Sequence, residues 1–326
     1  MKKIVCFGEA LIDFLGAPAV AGTPRVFLQN AGGAPANVAV AVAQLGGDAE
    51  FVGMLSCDMF GDFLRESLTA MRVGCSYIRR TAQAPTALAF VSLDAHGERS
   101  FSFYRPPAAD LLFHESDFET AMFAEAGFFH VCSNSLTEAA IAQATFAGMQ
   151  QARTAGALVS FDMNLRPGLW AKDVDPLSRI RIALASADVV KLSAEEFAFL
   201  IAAEGDENRV FELLWSGATQ LLIVTNGAAA LQWYTRHAHG RMSAHVVLAV
   251  DTTAAGDAFV GGLLFQLAAR EISAQGFCEF VADEKNLEST LHFAAACGAI
   301  AVTRPGAFAA MPTIADVQAL PGNRDD

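Results

Sequence analysis

The sequence predicts an α/β protein: a central, mostly parallel sheet covered by helices on both faces, a three-layer α/β/α arrangement, with a small β-sheet lid attached. Three observations predict it. Apolar runs of strand length recur at Lys3–Phe7, Phe128–Cys132, Leu158–Phe161, Ala187–Lys191 and Leu221–Thr225. Continuous runs of this kind are the mark of strands buried on both faces. Alanine-rich stretches of helical length lie between them, as at Glu138–Ala155 and Asp175–Ala185, and strands alternating with helices build a parallel sheet. Two segments break the rhythm. Phe14–Asn30 reads as irregular, with prolines at 18 and 24. Thr86–Leu93 and Glu98–Tyr104 read as the arms of a hairpin around Asp94–Gly97, the second arm alternating Phe101 and Phe103 with Ser100 and Ser102. Residues 13–30 and 85–107 are therefore assigned to the lid, and 1–12, 31–84 and 108–326 to the core. The carboxyl ends of the core strands are where such sheets bind ligands.

The composition narrows the class. Of 326 residues, 53% are hydrophobic and 17% charged, which supplies an ample core. The net charge of −13 works against binding DNA or RNA. An anionic small substrate would then need a local positive site or a metal ion. No charge-free apolar stretch approaches the ~20 residues of a membrane span, and the apolar run near the first residue is too short for a secretory signal. The chain reads as cytoplasmic, with no membrane partner. The six cysteines form no C-x-x-C pair and read as buried, reduced thiols.

Several segments carry candidate chemistry. In Val250–Arg270 a turn of small residues, Ala254, Ala255 and Gly256, opens a helix, and a helix N-terminus binds anions through its free amides and dipole. Asp257 stands at the edge of that site, either as an ordinary helix-start residue or as a group that handles the proton of a nucleophile. No P-loop occurs, and Gly8 opens no dinucleotide fingerprint. With only five lysines in the chain, phosphate charge must be met by amides, metal and arginine. Asn30–Gly46 carries Gly32, Gly33 and Pro35 at a helix start, and Asn37, whose amide suits hydroxyl recognition or simply a closely packed alanine helix. Asp162, Asn164 and Arg166 follow a strand and alternate, so an extended chain would point them one way. Ser193 and Glu196 have capping-box spacing after another strand. Thr225 and Gly227 end a further strand.

Taken in order, these segments resemble the ribokinase-like (PfkB) carbohydrate kinase family over Gly8 to about Met311. Gly32-Gly33 with Asn37 is similar to the family's first signature and Asp251–Asp257 to its second. Asp162, Asn164, Arg166 and Trp170, with Phe103, Tyr104 and Arg105, look most like fructokinases and 2-keto-3-deoxygluconate kinases. The resemblance implies roles. Asp257 would be the general base, with Ala254, Ala255 and Gly256 around the anion hole. Asp13, Gly33, Asn37 and Arg166 would hold the sugar, with Tyr104 and Arg105 reaching down from the lid. Lys191, Ser193, Thr225, Gly227, Gly256 and Gly306 would lie along the nucleotide. Glu196 would organise Mg²⁺ through water, and Asp251 and Thr253 match a monovalent cation position, K⁺ in some relatives. The implied reaction is ATP-dependent phosphorylation of D-fructose to fructose 6-phosphate. The alternatives are 2-keto-3-deoxygluconate, with Arg105 and Arg166 meeting its carboxylate, or a nucleoside. From another class comes a non-catalytic sugar- or nucleotide-binding protein. Relatives often dimerise through the lid. The sequence departs from the family at Ala254, usually glycine, at Ser193 and Ala295, often Asn, and at Asn226, commonly Leu.

Overall fold

The apolar runs of the sequence form one sheet. The computed structural model describes residues 1–17, 22–93 and 99–320, so the expected turn at Asp94–Gly97 lies outside the described residues. Among these, the strands are β1 Lys3–Phe7, β2 Leu11–Gly16, β3 Phe27–Gly32, β4 Ala49–Ser56, β5 Ile78–Thr81, β6 Leu88–Leu93, β7 Arg99–Tyr104, β8 Ala126–Cys132, β9 Leu158–Asp162, β10 Val189–Ser193, β11 Leu221–Thr225, β12 Leu231–Tyr234 and β13 His239–Met242. The helices are α1 Ala34–Gln44, α2 Met59–Ala70, α3 Thr120–Glu125, α4 Ala139–Thr154, α5 Pro176–Ser186, α6 Ala194–Glu204, α7 Glu207–Ser216, α8 Ala255–Ala269, α9 Phe277–Ala282, α10 Glu284–Ala301 and α11 Ile314–Ala319.

The large sheet has nine strands in the order β13-β12-β11-β10-β9-β8-β1-β4-β5. From β5 to β11 every pairing is parallel; β12 and β13 extend that edge antiparallel. Strand side chains alternate between two cores. Ile4, Cys6 and Phe128 face α1, α8 and α10; Val5, Phe129 and Val131 face α4, α5, α6 and α7. This is the three-layer arrangement expected. β1 lies inside the sheet with β4 on one side and β8 on the other, so the strand order reverses there. Such a switch point opens a crevice at the carboxyl ends of the strands.

A second sheet of four strands, β3-β2-β6-β7, is built from the two segments that broke the rhythm. Phe14–Asn30 corrects the expectation of irregular chain: β2 and β3 pair antiparallel, Phe14 opposite Gln29. Backbone pairing, not side-chain alternation, makes these strands, which is why the sequence did not declare them. The hairpin of β6 and β7 pairs as expected, Ala89 opposite Phe103, and β2 joins it in parallel.

One packing feature fixes the site. α8 is buried almost all round, as a helix with apolar residues on every face must be. Its glycines allow this: a methyl on Gly261 would overlap Ala41 of α1, and one on Gly262 would come within 2.7 Å of Cys297 of α10. The two close contacts hold the middle of α8 between α1 and α10. The cysteines are all free, but Cys57 and Cys278 are exposed, which corrects the expectation that the thiols are buried.

Candidate active site

A cavity of about 870 Å³ opens at the switch point, between the strand ends and the four-stranded sheet. The α1 end of its lining, Asp13, Gly33, Asn37 and Phe103, adjoins the α8 end, Thr252, Thr253, Ala254 and Asp257, where Asn37 touches Asp257, and Asn164 and Arg166 line it too.

The glycine pair shapes the first end. Gly33 caps α1 with φ 106°, and a side chain there would strike the carbonyl of Glu9. A methyl on Gly32 would overlap the Asp13 carboxylate. Only glycine lets β3 pass this close to the end of β1. The first turn of α1 then delivers Asn37, whose Nδ2 donates to Asp257 Oδ2 at 2.7 Å. Asn37 Oδ1 is a buried acceptor with no protein partner among the described residues. The rest of the helix is buried alanine and valine, the close packing that the composition suggests.

The second end is the start of α8. Ala254 takes the left-handed conformation, φ 57° and ψ 13°, at the helix N-cap, and no side chain caps the helix. The first amides therefore keep donor capacity for an anion. Asp257, in the third helical position, does not cap; its carboxylate is turned to Asn37. That removes the capping reading of this residue. Burial pushes its pKa up to about 7; the Asn37 hydrogen bond and the charges of Lys191 and Arg166 pull it down, and Asp162 adds to the rise. Asp13 is raised to about 7 as well, by loss of water and then by the charges of Asp257, Asp251 and Glu9. Two carboxyls poised near neutrality in one cleft mark a functional site.

Behind α8, Lys191 is buried and its Nζ lies 3.1 and 3.2 Å from the two oxygens of Asp162. A methyl on Gly256 would sit 2.9 Å from that Nζ, so the ammonium abuts the first turn. Asp251 pins the turn before the helix by accepting from Thr253 N at 2.8 Å and Gly306 N at 3.0 Å. Ser193 and Glu196 form the capping box of α6, and Glu196 also accepts from Leu165 N at 2.6 Å, tying down the loop that carries Arg166. Thr225 ends β11 and donates to Leu192 O at 3.3 Å, and Gly227 follows at φ 51°.

Three expectations are redrawn. Asp162, Asn164 and Arg166 do not point one way, because Asn164 turns at φ 37°; Asn164 and Arg166 reach the cavity while Asp162 holds Lys191. Tyr104 is 66% exposed and packs on Phe90, on the outer face of the lid. Strand alternation turns its neighbour Phe103 inward instead. Arg105 does not line the cavity: its guanidinium is buried against Asp110 and donates to Asn134 O at 2.7 Å. Sequence reasoning also missed Glu9 and Asn134, both buried and both on the cavity wall. Glu9 directly follows β1 at the switch point, and that position is the signal that finds it. Asn134 sits on a short 3-10 turn after β8 and carries no comparable signal.

A carboxylate poised beside an uncapped helix start, across a polar cavity, is the constellation of an enzyme that transfers a phosphoryl group to a hydroxyl. Comparison with known proteins gives the family. The model of the pfkB family carbohydrate kinases matches residues 1–314, and the chain belongs to that family. It is 42% identical to fructokinase-1 of Oryza sativa subsp. japonica over 323 residues, covering 98% of this chain and 97% of that protein. The crystal structure of a fructokinase from Xylella fastidiosa with bound ATP superposes with a TM-score of 0.94 at 55% identity, covering 98% of this chain and 97% of that one. The fructokinase of Vibrio cholerae O395, solved with fructose, ADP and calcium ion, gives 0.84 at 34% identity over 98% and 99% of the two chains.

Proposed function

We propose that the chain phosphorylates D-fructose with ATP, giving fructose 6-phosphate and ADP. The observation that carries this reading is the Asn37–Asp257 pair at the start of α8. An acceptor hydroxyl set between Asp257 and the helix start gives its proton to the carboxylate as its oxygen bonds to the γ-phosphorus and the bond to ADP breaks. The amides of residues 254–257 and the ammonium of Lys191 meet the charge that develops on the transferred group. Asn37, with its unpartnered Oδ1, Asp13, the Gly33 backbone and Arg166 hold the sugar. The nucleotide runs from Gly256 and Lys191 past Ser193, Thr225 and Gly227 toward Gly306.

Among the described residues no cluster of three acidic or imidazole groups could hold a metal by itself, and both oxygens of Glu196 already accept backbone amides. That donor set fits Mg²⁺ carried by the phosphates and reached by Glu196 through water. Mg²⁺ supplies charge neutralisation. Asp251 and Thr253 are the candidates for K⁺. Phe103, which lies over Gly168 across the cavity, makes the lid the element that excludes water. The outer lid face, with Tyr104 and Phe27 packed on Phe90, is the surface for a homodimer. Use of ATP and the absence of disulfides among the described residues favour the cytoplasm.

The other readings lose support. A keto-acid would find Arg105 spent on Asp110 and the cavity wall carrying Glu9, Asp13 and Asp257. A nucleoside would want an aromatic sandwich, and Phe103 is the single aromatic on that wall among the described residues. A mere binding protein has no use for Asp257 beside the phosphoryl site. An ATP-consumption screen over fructose, ribose, tagatose, 2-keto-3-deoxygluconate and adenosine, with and without K⁺, tests the proposal. Turnover of fructose above the rest is expected; turnover of no sugar overturns it.

A further inference from the structure

Arg105 is a buried charge that the reaction above leaves unused. It follows β7, where the lid rejoins the core, and is 2% exposed. Its Nε and Nη2 both donate to Asp110 Oδ2, the former at 2.8 Å. Its Nη1 donates to Asn134 O at 2.7 Å and to Thr137 Oγ1 at 3.3 Å. One guanidinium thus joins the lid exit, the turn at Ala109–Leu112 and the turn at Ser133–Leu136.

The network continues to the cavity. Asn134 Nδ2 donates to Glu9 Oε1 at 2.9 Å, and the same oxygen accepts Ala34 N at 3.2 Å, at the start of the helix that carries Asn37. The Asn134 amide cannot flip without bringing its oxygen against the Glu9 carboxylate. Its Oδ1 is therefore held as an acceptor, buried with no protein partner among the described residues, on a residue that lines the cavity. A buried acceptor left without a donor is costly unless a ligand supplies one.

We propose that Arg105 is a positioning residue for the sugar: it holds Asn134, and through it Glu9 and the start of α1, in the arrangement that receives the sugar hydroxyls, without touching the sugar itself. The proposal rests on the sugar-kinase reading and deepens it. The opposing view is that the Arg105–Asp110 pair only stabilises the fold. The two separate in kinetics, because a fold-stabilising pair has no reason to act on one substrate and spare the other.

The test replaces Arg105→Met and Asp110→Leu together, which leaves no lone buried charge. In this double variant we expect KM for fructose to rise by ~10-fold or more with KM for ATP within about twofold of wild type, the pattern of lost binding to one substrate. Calorimetric affinity for fructose without ATP should fall in parallel. Asn134→Ala should give the same rise, and adding it to the double variant should give no further rise, since residues acting through one network are not additive. Should the double variant not fold, Arg105→Lys is read in its place; it keeps the charge and loses the fork, and the same selective rise in KM for fructose is expected. A folded variant with wild-type KM and affinity for fructose, or with KM for both substrates raised alike, overturns the proposal. So does a full additive effect of Asn134→Ala. A wild-type protein that neither binds nor phosphorylates a sugar would instead refute the underlying reading, and the two failures are told apart by which protein shows them.

Discussion

Asn37 and Asp257 are 220 positions apart in the sequence, and their side chains meet at 2.7 Å. The bond joins the first turns of α1 and α8, the two helix starts that the paired glycines and the small-residue turn leave exposed to ligand. It engages Oδ2 of Asp257 and leaves Oδ1 as the atom that the proposed reaction would use. The contact can exist because Gly261 lets α8 lie against Ala41.

Asp257→Asn is isosteric and removes the proton acceptor. kcat should fall by at least ~100-fold, the scale of a positioned base. Its folded-state pKa of about 7 lies above the ordinary 3.8, so the carboxyl lends stability below its unfolded pKa that is lost as pH rises through about 7. The Asn variant should therefore melt no lower than wild type at pH 8. Near-normal turnover, or a collapsed Tm, would refute the assignment.

The pH profile follows from the same group. kcat/KM for the sugar should rise with pH through about 7 and then level, as Asp257 gives up its resting proton. Asp13, raised to about 7 partly by Asp257, steepens this limb. Initial rates at low sugar concentration between about pH 5.5 and 8.5 check it; a flat profile would exclude a base that titrates near 7.

Ala254 holds a left-handed backbone at the helix cap, a conformation that costs an L-residue ~1–2 kcal/mol, whereas Gly adopts it freely but loses ~0.5–1 kcal/mol in chain entropy. Ala254→Gly should therefore raise stability by up to about 1 kcal/mol with activity retained, and Ala254→Val should lower both. Denaturant midpoints decide between gain and loss.

Lys191→Met would leave Asp162 as an unpaired buried carboxylate, at a cost of ~3–5 kcal/mol. Adding Asp162→Asn should restore much of that stability. Turnover should stay depressed in the double variant, because the ammonium next to Gly256 is still missing. Recovery of turnover along with the melting temperature would make the pair purely structural.

The layers and the start of α8 were legible in the sequence. β1 and β11 have the bounds that their apolar runs predict, and the small-residue turn at Ala254–Gly256 announces a helix start. What was not legible depends on backbone pairing and on turns. β2 and β3 have no alternating signature and are strands through their backbone pairing. Asn164 breaks an alternation that looked extended. Arg105 looked like a hand reaching for substrate because its partner Asp110, five residues on, carries no motif, and nothing in a linear pattern tells a paired buried charge from a free one.

The lid strands are insertions that leave the core after β1 and again before the turn that carries Asp110, whereas Lys191, Ala254 and Gly256 belong wholly to the core. The cavity wall draws on both, Asp13 and Phe103 from the insertions and Asn37, Asn134 and Arg166 from the core, whereas the start of α8 and Lys191 draw on the core alone. Exchanging the two insertions between relatives would therefore alter only the lid's share of the cavity wall, while the core's share is inherited intact.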